Sequence, residues 1–325
     1  MNADKILRLS ISLVLPLIFS QSLVHAQQPY PSNSIRLIVP FPPGGGNDTV
    51  ARIVGQRLNE KLGQAVIIDN RGGAGGNIGM ELAAKAAGNG YTLVIGSFTT
   101  LIINPNVYRG LQFDAVRDFT PITQLVSSSL VLVVHPTVPA KSVKQLITLA
   151  KSRPGELNYG AGSTAGHLAG ELFKITAGLN VLHIPYKGNA QALTDLISGQ
   201  VTLMFGGVLA SQPQIKIGRV RALAVTGAQR SPTIKELPTI AEAGLPGFEV
   251  DTWYGILAPA NTARPIVDRL NRELQQIVQS REFQQRLFDQ GAAPVGGTPE
   301  QFSNYIRSEM VKWSKVIKAA NVNPE

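Results

Sequence analysis

Cysteine is absent from all 325 residues. That excludes disulfides, a thiol nucleophile and a lipid-modified cysteine anchor. Charge is sparse too, at 16% of the chain. The 30 Lys and Arg exceed the 21 Asp and Glu, giving a formal charge of +9, but they never form a run of four. No basic block alternates with aromatics either, so no nucleic-acid partner is expected. A diffuse positive field favours small anionic ligands instead. The chain has no G-x-x-x-x-G-K-[ST] loop, no histidine–carboxylate cluster of metal-site size and no evident nucleophile–base pair. Neither a cofactor nor catalysis is expected.

Long apolar stretches are confined to the N-terminus. Lys5 and Arg8 precede an apolar run from Leu9 to Phe19, and Val24-His25-Ala26 supplies a small–x–small cleavage pattern. This reads as a signal peptide over residues 1–26, cleaved after Ala26. Pro16 and the short run argue against a retained membrane helix, and no later segment is apolar enough to span a bilayer. Export without cysteine suits a bacterial periplasmic protein. The remaining length suggests two domains, each able to bury a core.

Arg36–Arg52 reads as strand, glycine-rich turn and helix start, with Gly44, Gly45 and Gly46 at the bend. Asn47 or Asp48 is a candidate helix cap. Val50, Ile53, Val54, Leu58 and Leu62 form one apolar helix face, and Gly63 ends it. Strand Ala65–Asp69, a second glycine-rich loop, helix Met80–Ala87 and strand Tyr91–Gly96 follow. The alternation predicts a mostly parallel α/β sheet, with ligands beyond the strands' carboxyl ends. An irregular stretch begins at Asn104-Pro105. Phe119–Val126 and Leu130–Val134 read as extended, with Ser127-Ser128-Ser129 as a hinge between them.

The opening pattern then recurs at Gly160-Ala161-Gly162-Ser163-Thr164-Ala165-Gly166-His167, followed by a helix that Ser163 or Thr164 can cap. Gly160, Gly162 and Ala165 fit G-x-G-x-x-A, but Asn180 stands where a dinucleotide site needs an acid. Ser163 lacks the flanking glycines of a nucleophile elbow. His167 and Glu171 share a helix face but are too few for a metal site, and a local hydrogen bond is the simpler reading for His167. His135 reads as a strand-end residue, Lys187 as a loop lysine, and Trp253 and Tyr254 as core or hinge packing. What remains is two helix N-termini, one per half, suited to a carboxylate across a cleft.

These residues resemble the extracytoplasmic solute-binding proteins of tripartite tricarboxylate transporters, the Bug proteins. The resemblance rests on Pro43-Gly44-Gly45-Gly46-Asn47-Asp48 with Ala51-Arg52, on Asn70-Arg71 with 73–79, and on Asp118-Phe119-Thr120-Pro121-Ile122. Gly166-His167-Leu168-Ala169-Gly170-Glu171, His183-Ile184-Pro185-Tyr186-Lys187-Gly188 and Glu242-Ala243-Gly244 extend it almost through the mature chain. Gly88-Asn89-Gly90 departs from the family's usual Pro-Asp-Gly, which affects only a turn. The resemblance implies a two-lobed, type II-like periplasmic binding fold with crossovers near Leu125–Leu130 and Val250–Trp253. Lobe 1 would hold residues 27–126 plus 251–325, and lobe 2 residues 127–250.

It further implies a carboxylated ligand, an amino acid, di- or tricarboxylate or aromatic acid, held through backbone groups and water. The implied contacts are Phe41, Gly44, Gly45, Gly46, Asp48, Ser97 and Thr99 in lobe 1. In lobe 2 they are Gly162, Ser163, Thr164, Gly166, Tyr186 and Gly206. Asp48 has two readings, helix cap or partner of a ligand ammonium, and the cap is preferred because a carboxylate repels an anionic ligand. The expected partner of a monomeric protein is a membrane permease of the tripartite tricarboxylate type. The alternatives are a periplasmic sensor docking on a signalling partner and an exported hydrolase using Ser163.

Overall fold

The computed structural model describes residues 30–319, apart from Lys187 and Gln290. The expected signal peptide and the Lys187 assignment lie outside the described residues. Along the chain run β1 (Ile35–Val39), α1 (Gly46–Leu62), β2 (Val66–Asn70), α2 (Asn77–Ala84) and β3 (Thr92–Ser97). A π-helical turn, Thr99–Ile103, leads into α3 (Asn104–Val107). The middle holds β4 (Phe119–Val134), α4 (Val143–Ser152), β5 (Asn158–Ala161), α5 (Thr164–Ala177), β6 (Leu182–Pro185), α6 (Asn189–Ile197), β7 (Leu203–Gly207), α7 (Val208–Lys216) and β8 (Arg221–Val225). The chain closes with β9 (Asp251–Pro259), α8 (Arg264–Val278), α9 (Arg281–Phe288), β10 (Ala293–Gly296) and α10 (Pro299–Ala319).

Two parallel cores build the two lobes. In one, β1 lies between β2 and β3, all parallel. In the other, β5 lies between β6 and β7, again parallel. The strands joining them are antiparallel, as a chain passing back and forth between lobes requires. β4 pairs with β9 and β10 along its first part and with β7 and β8 from Leu130 onward. The order β2-β1-β3-β9-β4-β7-β5-β6 therefore runs through both lobes. The serines at 127–129 do not interrupt β4, contrary to the sequence expectation. Ser127, Ser128 and Ser129 stay in register with Trp253, Thr252 and Asp251. Ladder hydrogen bonds and a cross-strand bond from Ser127 Oγ to Asp251 Oδ2 (2.8 Å) outweigh the weak strand preference of serine.

The helices follow their apolar periodicity. In α1, Val50, Ile53, Val54 and Leu58 are buried, and Gly63 (φ 66°) ends the helix in the left-handed region. In α8, Val267, Leu270, Leu274, Ile277 and Val278 form one buried stripe. Each such side chain contributes roughly 1.5–3 kcal/mol. Trp253 is fully buried and packs edge-on against Phe302 (5.5 Å) and Tyr305 (5.7 Å), so it serves packing where β9 begins. Three elements escape sequence reading. The stretch expected to be irregular from Asn104 opens with the short helix α3 and is irregular only beyond Val107, α7 carries Pro213 inside it, and β10 is four residues long.

Candidate functional site

The β5–α5 turn is built on a close backbone approach. A Cβ on Gly162 would lie 2.1 Å from the Gly188 carbonyl carbon, so only glycine fits there. Ser163 then caps α5, as expected. Its Oγ accepts from the Gly166 N–H at 3.2 Å, and its carbonyl accepts from the His167 N–H at 3.0 Å. The N–H groups of Thr164 and Ala165 have no acceptor among the described residues. They open a 14-residue helix, where the backbone dipoles favour an anion.

A cavity of about 450 Å³ lies in front of that helix start. Residues 161–164, His167, His183, Pro185 and Tyr186 line it from one lobe. Gly75, Thr99, Ile103, Asn104, Val107 and Tyr108 line it from the other. Asn104 fixes that second wall. Its buried amide donates to the Gly75 carbonyl (2.9 Å) and to Asn77 Oδ1 (2.7 Å), tying the second glycine loop to α3. Among the described residues, no Asp, Glu, Lys or Arg lines the cavity.

Three rings stack along one side. Tyr159 lies on His183 (centroids 4.9 Å apart, 25°), and His183 lies on His167 (3.9 Å, 9°). Burial lowers the pKa of both imidazoles. His183 falls to about 4, with the nearby His167 as a second cause. Both are therefore neutral at physiological pH. His167 does not make the local side-chain hydrogen bond that its sequence position suggests; among the described residues its ring has no hydrogen-bond partner. Behind the stack, Tyr159 donates to the buried Glu171 Oε1 (2.7 Å), which also meets Lys174 Nζ (2.7 Å).

Of the residues expected to bind ligand, Thr99, Gly162, Ser163, Thr164 and Tyr186 come together in this cavity. Tyr186 contributes its ring, while its hydroxyl donates to Asp195 Oδ2 at 2.7 Å. Phe41, Gly44, Gly45, Gly46, Asp48, Ser97, Gly166 and Gly206 do not line it. Gly44 and Gly45 are exposed, with open space where a Cβ would point. Gly46 lies against the Tyr254 hydroxyl, Gly166 against the Phe205 carbonyl and Gly206 against Ser211 Oγ. Ser97 is buried in exchange with Thr100, their hydroxyls 3.2 Å apart.

Asp48 is not the N-cap of α1; Gly45 holds that position. Its buried carboxylate instead reaches back from the first turn. Oδ2 accepts from the Gly44 N–H (2.9 Å) and Arg52 Nε (2.9 Å), and Oδ1 from Asn70 Nδ2 (3.0 Å). The Arg52 hydrogen bond, with those from Gly44 and Asn70, lowers its pKa to about 2. The carboxylate is thus committed to the loop. The sequence reading omitted Gly75, Asn104, Tyr108, His167 and His183 from the site. The motifs contain Gly75, His167 and His183 but not Tyr108, and nothing in their spacing brings residues 75 and 104 to face residue 167 across one cavity.

A second cavity, of about 490 Å³, lies where β4, β9 and β10 meet. Ser127, Glu249, Asp251 and Tyr305 help line it. Burial raises the Asp251 pKa to about 6, against the Ser127 hydrogen bond, and its Oδ1 is shielded without a partner among the described residues. Arg230 lines it too, paired with Glu242 Oε2 at 2.9 Å, so this cavity carries side chains of both charges, in contrast to the cleft before α5.

The family model described as "Tripartite tricarboxylate transporter family receptor" matches residues 50–322. Protein BugT of Bordetella pertussis is 36% identical over 89% of this chain and 90% of its own. An R. palustris protein solved with adipate is 40% identical, with a TM-score of 0.73 over 91% of this chain and 100% of its own. A TctC solute-binding protein from Polaromonas, solved with no ligand, is 26% identical. Its TM-score is 0.82 over 89% of this chain and 99% of its own.

Proposed function

The chain belongs to the tripartite tricarboxylate transporter receptor family, whose members are periplasmic solute-binding proteins, and from that premise we propose that it captures a small carboxylated solute in the cleft before α5. The observation that carries this reading is the start of α5, where the N–H groups of Thr164 and Ala165 have no acceptor among the described residues and Thr164 lines a cavity with no acidic side chain among its described lining. Such N–H groups are complementary to a carboxylate, and each charge-assisted bond contributes roughly 1.5–3 kcal/mol. The adipate held by the R. palustris relative supports the same class of ligand.

The ligand bridges the lobes and favours their closed arrangement. Lobe 1 comprises residues 27–126 plus 251–325, and lobe 2 residues 127–250. The start of β9 at Asp251 supports the second boundary, and the change of β4 partners at Leu130 falls within the expected crossover, three residues past the first. The chain is more similar in shape to the ligand-free Polaromonas protein than to the adipate-bound R. palustris one, despite lower identity to it. That supports reading the described arrangement as the open form. The first glycine turn, Phe41–Asp48, then belongs to the site through closure, as do Ser97, Gly166 and Gly206 in supporting roles.

The mature protein acts in the periplasm, as a monomer, and hands its solute to a membrane permease of the tripartite tricarboxylate type. Binding rather than hydrolysis is supported by Ser163, whose Oγ caps α5 instead of bonding an imidazole among the described residues. A thermal-shift screen of mono-, di- and tricarboxylates and amino acids tests the reading, because a ligand selective for the folded state raises its melting temperature. At least one carboxylate raises it by several degrees at millimolar concentration. A panel without any shift, alongside a shift with neutral or cationic solutes, overturns the reading.

A further inference from the structure

We propose that His167 is the specificity-determining side chain of the cleft, donating its ring N–H to the second carboxylate of a dicarboxylate ligand. The inference rests on the reading of this cleft as a carboxylate site and names what distinguishes one carboxylate from another there.

The first carboxylate has a natural seat at the free N–H groups of Thr164 and Ala165. His167 lies just beyond, still in the first turn of α5, about 5 Å further along the helix axis. Side chains on a helix lean toward its N-terminus, so the imidazole stands beside that seat. It lines the cleft, and its ring nitrogens have no partner among the described residues. The other polar side chains of the cleft are largely committed. Ser163 caps the helix, the Tyr186 hydroxyl bonds Asp195, and the Asn104 amide bonds Gly75 and Asn77.

The stack fixes how His167 presents itself. His183, 3.9 Å behind it and nearly parallel, holds the ring plane. His183 also lines the cleft, but its Nε2 is buried with no partner among the described residues. Among the described residues lining the cleft, only these two side chains can acquire positive charge near neutral pH. The charged and titratable groups around them are Glu171 and Lys174 on α5, paired with each other, and Tyr159 on β5, bonded to Glu171. Burial keeps both rings neutral at physiological pH. An anion arriving beside His167 favours its protonated form, so binding a dicarboxylate takes up a proton. Stacking disfavours charging both rings, which limits uptake to one.

The test compares a dicarboxylate with the monocarboxylate of equal chain length, using adipate and hexanoate as probes. Titration calorimetry is run on wild type, His167→Phe and His167→Gln in phosphate and in Tris at pH 7. Phenylalanine keeps a ring on His183 without a donor, and glutamine restores a donor without the ring. For wild type, adipate binds more tightly than hexanoate, and its heat differs between buffers by the ionisation of up to one proton. His167→Phe weakens adipate by about 10- to 100-fold, the loss of one charge-assisted hydrogen bond. It leaves hexanoate within about twofold and abolishes proton uptake, while His167→Gln recovers much of the adipate affinity without uptake. Equal adipate affinity in wild type and His167→Phe overturns the proposal, as does equal weakening of both probes. If wild type binds neither probe nor any other carboxylate, the carboxylate reading of the cleft fails instead.

Discussion

The side chain of Asn70, at the end of β2, donates to the carboxylate of Asp48 in the first turn of α1, 3.0 Å away across 22 positions of sequence. The same amide also reaches the carbonyl of Phe41 at 3.1 Å. One side chain therefore ties both ends of the first glycine turn to the neighbouring strand. Asp48 in turn holds the N–H of exposed Gly44 at 2.9 Å, while Gly45 keeps open space around it.

Loss of this tie is measurable as stability. The Asp48 pKa falls from 3.8 unfolded to about 2 folded. A lowered folded value means stability that is fully present above pH 3.8 and lost as pH falls through about 2. Asp48→Ala should cost about 2 kcal/mol at pH 7. Urea denaturation checks this, and the gap between variant and wild type should narrow steadily from pH 4 toward pH 2.

Two glycines in equivalent turns should respond in opposite ways. Gly45 has an ordinary extended φ of −81° and open space around it, so Gly45→Ala should leave the melting temperature within about a degree. Any change in ligand affinity then reports a contact formed on closure. Gly162→Ala drives a methyl into the Gly188 backbone and should cost several kcal/mol. Melting temperature and carboxylate affinity, measured side by side, check both.

Legibility followed the range of each interaction. The turns, caps and amphipathic faces are local, so α1, Gly63 and the Ser163 cap read directly from residue order. The resemblance of motifs supplied the two-lobed fold beyond them. What stayed hidden depends on partners far apart in sequence. Ser127–Ser129 look like a hinge alone but are strand once β9 supplies its ladder. His167 looks like a first-turn residue with a local hydrogen bond until β6 brings His183 to its face. Asp48 looks like a cap until Asn70 arrives from β2. Gly75 lies in the second glycine loop and Asn104 opens α3, and only the packing of one against the other makes them one wall.

Asp251 should make stability fall as pH rises. Burial raises its folded pKa from 3.8 to about 6. The protonated form is therefore favoured in the folded state, and stability declines as pH rises from about 4 through 6. The charged groups around it, Glu249, Glu309 and Lys312, leave a net negative surrounding. Asp251→Asn should melt several degrees higher than wild type at pH 8 and lose that advantage by pH 4. Thermal melts across this range decide it. An asparagine variant equal to wild type at pH 8 means the carboxylate is adequately solvated.

The central claim is that a carboxylate binds between the lobes at the start of α5. A crystal structure with the best carboxylate from the thermal-shift screen tests it most directly. The account predicts one ligand carboxylate on the N–H groups of Thr164 and Ala165, the lobes closed, and residues 41–48 brought to the ligand. A carboxylate found in the Asp251 cavity, or a cleft that stays open and empty at saturating ligand, contradicts it.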